Sequence, residues 1–207
     1  MKRLTPLLVL ALLAAPSAVS AADFVIAPGL SSVSFESDAT LETITGTSAA
    51  IHGTLTTDIN APGTTSGTIS VPVASLRTGV DLRDEHLHSA DWLNAAGHPE
   101  ITFALTSVDV PSGATLSHGQ AINATVTGDF SLNGVTRSVT TTAEVSFYEI
   151  ANDQVAGSYG IDNDILRIEA RFAVPLGEHN ITVHPPLRLK VAESIEVSVN
   201  VSAVLSE

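Results

Sequence analysis

Side chains that could do metal or acid–base chemistry are concentrated in one stretch, SLRTGVDLRDEHLHSADWLNAAGHPEITF, which runs from Ser75 to Phe103. The stretch contains the chain's only tryptophan, three of its seven histidines and a cluster of carboxylates. Asp84, His86 and His88 are of the residue types that bind zinc or non-haem iron. On a helix, however, His86 and His88 would point about 200° apart, so both reach one ion only with distortion. A metal centre and a purely structural role for this cluster both remain open.

Trp92 and two arginines are the other side chains that could contact a ligand. The broad ring of Trp92 could close over an apolar chain, or it could pack this segment onto the rest of the fold. Arg137 lies three residues after an Asn-Gly turn on an otherwise apolar row, and Arg83 lies in the stretch described above. Each guanidinium could meet a phosphate or carbonyl oxygen, or simply extend into solvent. The chain has no cysteine, no Gly-x-Ser-x-Gly elbow and no glycine-rich phosphate loop, so the sequence does not support catalysis.

The same stretch predicts a short helix around residues 82–95, ended by Gly97 and Pro99. Asp81 and Asp84 are spaced to cap its start. The apolar stripe of this helix comprises Leu82, His86, Ala90 and Leu93. A position on this stripe predicts that His86 is buried against the core.

Alternation of apolar and polar residues dominates the rest of the chain and predicts half-buried antiparallel strands. Asn133-Gly134 separates two alternating runs and predicts a long hairpin, because both turn positions need a positive φ. We count eight or nine strands, several of a length that suits a barrel wall better than a sandwich. The clearest inward rows are Leu166, Ile168, Ala170, Phe172 and Val174, and then Ile195, Val197, Val199, Val201 and Ala203.

The inward rows contain many small residues, and this bears on whether a barrel would be hollow. Val and Ile alternate with Ala124, Gly128, Ala143, Ala170 and Ala203, and the chain has only six phenylalanines. An eight-stranded barrel is wide enough either to fill itself with side chains or to hold one slim ligand. A continuous apolar void is one reading, and side chains that meet across the middle are the other.

The start of the chain predicts a secretory signal. A basic Met1-Lys2-Arg3 start is followed by an apolar run over residues 4–15 and by small residues at Ser20, Ala21 and Ala22. We expect residues 1–21 to be the signal peptide, residues 22–207 to form one domain, and the periplasm to be its location. No other segment approaches the length of about 20 apolar residues that a membrane-spanning helix needs.

Net charge restricts the partners. The chain carries a formal charge of −13, and loss of Lys2 and Arg3 would make it −15. A nucleic-acid partner is excluded, because such binding draws on clustered Lys and Arg. Anionic membranes should repel the protein on average, so transient contact with a membrane or membrane protein would depend on apolar surfaces. Association of two barrels is left open.

Three ordered blocks resemble the YceI-like family of exported bacterial proteins. They are SLRTGVDLRDEHLHSADWLNAAGHPEITF, VTGDFSLNGVTRSVT and LGEHNITVHPPLRLKVAESIEVSVNVSA, and they extend over nearly the whole predicted domain. The resemblance implies an all-β fold: an extended eight-stranded antiparallel barrel of lipocalin-like shape, with the short helix near one opening. It also implies an elongated apolar cavity that holds a polyisoprenoid, such as a quinone or a prenyl pyrophosphate, and no other cofactor.

Three hypotheses follow from these observations. The first is an exported, non-catalytic carrier or buffer of isoprenoid lipid. The second is a metal-assisted hydrolase or isomerase that uses Asp84, His86 and His88. The third is an envelope interaction module with an incidental cavity. For the first, the residues expected to contact the ligand are Phe35, Val71, Val73, Leu82, Leu87, Trp92, Leu93, Phe103, Val126, Phe130, Arg137, Val145, Phe147, Phe172 and Val197.

Overall fold

The computed structural model describes residues 21–150, 156–157 and 162–206. The predicted signal peptide, apart from Ala21, lies outside the described residues. The described chain consists of ten strands and one short α-helix, α1, which spans Asp81–His88. The strands are β1 (Ala22–Ile26), β2 (Ser32–Asp38), β3 (Thr43–Ser48), β4 (His52–Thr57), β5 (Ser66–Pro72), β6 (Glu100–Asp109), β7 (Ala121–Leu132), β8 (Val135–Tyr148), β9 (Ile165–Pro175) and β10 (Ser194–Leu205).

These strands form one closed antiparallel barrel with eight positions around its wall. β1 and β2 follow one another along the edge of β10, separated by a short turn at Pro28–Leu30, and so share one position. β3 and β4 share the next position in the same way, since β3 pairs with β2 and β4 with β1. Because β1 pairs with both β4 and β10, the wall closes. The predicted eight-stranded antiparallel barrel is confirmed.

The barrel has two different ends. One end, called here the helix end, carries the β2–β3 loop, residues 73–99 with α1, the β7–β8 turn and residues 176–193. The opposite end is packed by large buried side chains. There the Phe24 and Phe147 rings meet edge to face with centroids 6.4 Å apart, and the Leu116 N–H donates to the Ile59 carbonyl at 2.7 Å. Among residues 21–150, 156–157 and 162–206, these contacts pack that end, which we call the sealed end.

The predicted hairpin forms, and a buried histidine fixes the chain beside its turn. Asn133 and Gly134 adopt φ values of 48° and 74°, as the Asn-Gly signal requires. The Asn133 side-chain amide donates to the His179 carbonyl at 3.1 Å, and His179 Nδ1 lies 3.2 Å from the Val135 carbonyl. The His179 ring, 2% exposed, stands edge-on to the Phe130 ring at 5.4 Å. The chain after β9 is thereby held against the hairpin.

The helix differs from the prediction in its length and in its buried face. It ends at His88 and is followed by turns up to residue 97, and Val80 at its N-cap has no capping side chain. Asp84 is buried and accepts hydrogen bonds from the Thr78 N–H and hydroxyl, at 2.7 and 2.6 Å. Because Asp84 anchors the inner face, Leu82 lies on the opposite face and is 63% exposed. The prediction that Leu82 packs inward is wrong.

Among the described residues, no helix is long and apolar enough to cross a membrane.

Candidate apolar binding cavity

The barrel is hollow. A cavity of about 360 Å³ runs inside it, which is within the usual range for small-molecule sites. Its lining extends from Trp92 and Leu187 at the helix end to Val110 and Leu116 near the sealed end. On β7 the lining runs from Ile122 to Leu132, which is about 33 Å along the strand at about 3.3 Å per residue. The cavity is therefore long and narrow, and suits a chain-like ligand better than a compact one.

Small inward residues leave this space open. Ala143 and Ala170 face each other directly across β8 and β9, and both line the cavity together with Ala124. The Phe103, Phe130 and Phe172 rings form a connected set, with Phe172 centroids 6.2 Å from Phe103 and 5.4 Å from Phe130. All three rings line the cavity. The reading in which Val and Ile meet across the middle is wrong.

Gly128 makes room for one of these rings. A Cβ atom at this position would lie 2.5 Å from Cε1 and Cζ of Phe103 and 2.7 Å from the Ala104 carbonyl oxygen. Only a residue without a side chain allows the Phe103 ring to lie flat against β7. The glycine on the inward row of β7 therefore sets the position of an aromatic residue in the cavity wall.

Polar groups of the lining are few, and the largest of them gather at the helix end. Arg83, His86 and Thr78 belong to α1 and the turn before it, whereas the remaining polar lining residues are serines and threonines. Among the lining residues, only His86 and Leu187 are exposed at the surface. We call the opening between them the mouth of the cavity. An amphiphile in this cavity would have its tail among aliphatic side chains and its polar group at the mouth.

Hydrogen bonds to Thr78 and Glu42 fix α1 beside the mouth. The Arg83 guanidinium pairs with Glu42 at 2.8 Å, and its Nε donates to the Thr78 hydroxyl at 2.9 Å. That hydroxyl donates in turn to Asp84. This hydrogen bond is the main reason that the pKa of Asp84 lies below its ordinary value, with smaller contributions from the Thr78 N–H and Arg77. Asp84 therefore stays ionised and keeps the helix anchored at neutral pH.

Most of the predicted contact residues line the cavity. They come from seven strands and from the helix region, so the barrel brings together positions that are far apart in sequence. Whether they touch a ligand stays a prediction. They are Phe35, Val71, Leu87, Trp92, Leu93, Phe103, Val126, Phe130, Val145, Phe172 and Val197.

Four predicted contact residues do not line the cavity. Val73 is fully buried in the turn after β5, and Phe147 packs on Phe24 at the sealed end. Leu82 faces solvent, as described above. Arg137 is on an inward row, but the β8–β9 ladder runs only from Ala143 to Tyr148 among the described residues of β8. Arg137 lies outside that ladder, and its side chain is exposed and does not line the cavity.

The sequence interpretation missed several lining residues. Ile168, Ala170, Ile195 and Val199 follow the alternation of β9 and β10 and could have been included on that signal alone. Leu187 and Val191 come from the irregular segment between β9 and β10, where no periodicity marks an inward side chain. Lining residues in such a loop can be recognised only from the three-dimensional structure.

The residues of the metal hypothesis are not brought together as ligands. The Asp84 carboxylate accepts a hydrogen bond from the Thr78 hydroxyl, and His88 Nε2 lies 3.0 Å from the Leu76 carbonyl oxygen. His86 is exposed at the mouth, not buried as predicted. Over residues 21–150, 156–157 and 162–206, no group of three or more His, Asp or Glu side chains is arranged to hold a metal ion. The metal-assisted hydrolase hypothesis therefore lacks its centre in the described structure.

Comparison with known proteins identifies the family. A family model described as YceI-like domain matches residues 24–203. The chain belongs to the YceI-like family. Protein YceI of Escherichia coli O6:H1 is 37% identical over 100 residues, and Protein YceI of Salmonella arizonae is 35% identical over 100 residues. Each match covers 48% of this chain and 48% of the relative, so the chain spans about half the length of the curated relatives it matches.

Solved structures of other proteins have the same fold as this YceI-like chain. Burkholderia cenocepacia BcnA gives a TM-score of 0.67 at 17% identity and covers 86% of this chain and 99% of its own. A Saccharophagus degradans domain, described as polyisoprenoid binding and implicated in plant cell wall breakdown, gives 0.68 at 14% identity, with 89% and 99% covered. The barrel fold is therefore shared at 14–17% sequence identity.

Proposed function

We propose that this protein binds one long-chain isoprenoid lipid, of the quinone or prenyl pyrophosphate type, with the tail inside the barrel. The observation that carries the proposal is a continuous apolar cavity with its charged lining residue, Arg83, at the mouth. The YceI-like family membership and the polyisoprenoid-binding description of the Saccharophagus degradans domain support the same ligand class.

The energetics favour an occupied cavity. Removal of apolar side chains from protein cores costs about 24 cal/mol per Å³ of void, so a dry space of 360 Å³ would cost on the order of 9 kcal/mol. Water gains little there, because the wall offers it few hydrogen-bond partners. A hydrocarbon chain restores the missing contacts and removes its own apolar surface from water. Both effects stabilise the complex.

The mouth suits the polar group of such a lipid. Arg83 is about one-third exposed and pairs with Glu42, so a pyrophosphate would compete with that carboxylate for the guanidinium. His86 and Thr78 add further hydrogen-bonding groups at the same opening. A quinone carbonyl would need only one such donor. The groups at the mouth therefore support a proposal that includes both head groups.

The activity we propose is reversible binding and exchange, without chemical change to the lipid and without another cofactor. The chain has no cysteine, and its Asp84 and His88 side chains are held by structural hydrogen bonds. Together with the signal-like start, this points to a periplasmic carrier or buffer that acts in lipid or quinone handling, or in envelope stress.

Trp92 provides a direct test. It is the only tryptophan of the chain and it lines the cavity, so a bound quinone should quench its fluorescence. We expect saturable, one-to-one quenching by a quinone with a long isoprenoid tail, and much weaker quenching by the same ring without its tail. Equal quenching by the two compounds, or none by either, would overturn the proposal.

A further inference from the structure

The helix end of the barrel carries an unusual concentration of exposed apolar side chains. Seven large apolar side chains are exposed in the described part of the chain, and five of them lie at this end. The other two, Val25 and Leu30, are each 47% exposed and lie on the β1–β2 position of the wall. We call the five the apolar rim: Leu41 (67% exposed), Val80 (49%), Leu82 (63%), Leu187 (37%) and Leu189 (53%).

The rim is continuous, because its three segments are joined to one another. The Leu41 N–H donates to the Leu189 carbonyl at 2.8 Å, which connects the β2–β3 loop to residues 184–191. The Arg83–Glu42 pair connects the same loop to α1. Leu187 belongs to both the rim and the cavity lining. The exposed leucines therefore lie on neighbouring segments at the helix end, beside the mouth that Leu187 lines, and are not scattered over the surface.

On the side of the apolar rim formed by Leu187 and Leu189, the neighbouring side chains are basic and could pair with lipid phosphates. Arg188 and Lys190 alternate with Leu187 and Leu189, and Lys190 is the only lysine among the described residues. Arg188 pairs with Glu193 at 3.1 Å, but both side chains are more than half exposed and stay accessible. Exposed leucines beside basic side chains are the combination that lies in a membrane interface, with the basic groups at the head groups.

We propose that the apolar rim docks on the surface of a phospholipid bilayer, with its leucines among the head groups and Arg188 and Lys190 against lipid phosphates. This inference rests on the proposed function, since a lipid tail would then pass from bilayer to cavity without crossing water. Asp81 and Glu85 lie on the helix side of the rim, in a chain of net charge −13. Insertion of apolar side chains, more than attraction to anionic lipid, therefore supplies the binding.

Vesicle flotation tests this proposal. Vesicles of phosphatidylcholine and phosphatidylethanolamine, with and without phosphatidylglycerol, are mixed with the ligand-free protein and recovered on a density gradient. A double variant, Leu41→Ser with Leu189→Ser, removes two rim residues that do not line the cavity. We expect the fraction of protein that floats to fall about tenfold for this variant, with only a small effect of phosphatidylglycerol.

The matched control is Val25→Ser with Leu30→Ser, which removes two similarly exposed apolar side chains away from the mouth. This variant should float as the unchanged protein does. Failure of the unchanged protein to float with either vesicle overturns the proposal. That result is expected if the apolar rim binds a partner protein and not a bilayer. Equal flotation of the rim variant and the control also overturns it.

The Trp92 quenching assay separates this proposal from the proposed function. The rim variant should bind a long-tailed quinone in solution as well as the unchanged protein does, but should deliver it more slowly to acceptor vesicles. Quenching without flotation would reject the docking surface and leave the lipid-binding function intact. Flotation without quenching would reject lipid binding and leave the membrane surface intact.

Discussion

The Arg83 guanidinium lies 2.8 Å from the Glu42 carboxylate, and this ion pair joins α1 to the β2–β3 loop at the mouth of the cavity. Both side chains are about one-third exposed, so the pair is weak enough to open and close. Because Arg83 also lines the cavity, the contact that holds the helix is the same one that a charged lipid head group would disturb. With the proposed function, lipid binding and opening of the mouth would therefore be coupled at Arg83.

Loss of this ion pair should speed ligand release. Glu42→Gln removes the charge and keeps the size of the side chain. An exposed pair contributes about 0.2–1 kcal/mol, so release of a bound quinone should become about 1.4- to fivefold faster with little change in stability. Recovery of Trp92 fluorescence after dilution measures the rate of release.

The control is Arg167→Gln, which breaks the exposed Arg167–Glu169 pair on the outer face of β9 and should leave the release rate unchanged. Equal rates for the unchanged protein and Glu42→Gln would contradict this view of the mouth.

Narrowing the cavity should abolish binding while the barrel still folds. Ala170→Phe adds a ring at a half-buried position that lines the cavity, where there is space to receive it. Its control, Ala173→Phe, places the same ring on the exposed face of the same strand. We expect loss of Trp92 quenching in the first variant alone, with circular dichroism of a folded barrel in both. Retained binding in Ala170→Phe would show that the tail lies elsewhere.

Gly128 should be intolerant of even one methyl group. Gly128→Ala places a Cβ against Phe103 and the Ala104 carbonyl, and overpacking of this kind costs about 1–3 kcal/mol. Urea unfolding measures the loss. Gly177→Ala serves for comparison, since a Cβ at Gly177 meets nothing within 4 Å. If Gly128→Ala lowers the free energy of unfolding no more than Gly177→Ala does, the Phe103 ring moves aside without cost.

Acid should release α1 through Asp84. The folded-state pKa of Asp84 lies below its ordinary value of 3.8, so its ionised form stabilises the fold above that pH. This contribution is lost as the pH falls from that value through the lowered folded-state pKa. Thr78→Val removes the hydroxyl donor, should raise the pKa of Asp84, and should move the loss to higher pH. The chemical shift of the Asp84 carboxyl carbon, followed by NMR as the pH is lowered, measures this pKa.

The control for that titration is Thr43→Val, which removes a hydroxyl that donates to Asp38, where the exposed ends of β2 and β3 meet. It should leave the Asp84 titration unchanged. An Asp84 pKa at or above its ordinary value in the unchanged protein, or one insensitive to Thr78→Val, would show that Thr78 is not its anchor.

The parts of the fold that the sequence predicted are those in which a local signal and burial agree. The inward rows of β9 and β10 alternate without interruption, and every one of those ten side chains either lines the cavity or is buried. The Asn133-Gly134 turn needs a backbone conformation that few other residue pairs adopt. Both signals are contained in a short window of residues, so no knowledge of the closed barrel is needed.

The errors arose where long-range contacts decide the outcome. α1 is held by a polar anchor, Asp84 on Thr78, and an apolar stripe could not reveal that Leu82 faces outward. Arg137 has the inward parity, but the point at which the β8–β9 ladder ends depends on two strands together. Leu187 enters the cavity lining from a segment without periodicity. In each case tertiary contacts override the local pattern.

Native mass spectrometry of the protein purified from its own host, paired with an organic extract of the same sample, tests the central claim most directly. We predict one bound lipid per barrel, with an isoprenoid tail identified in the extract, and its loss in Ala170→Phe but not in Ala173→Phe. Protein of bare polypeptide mass in repeated preparations, which also fails to take up an added long-tailed quinone, would contradict the account.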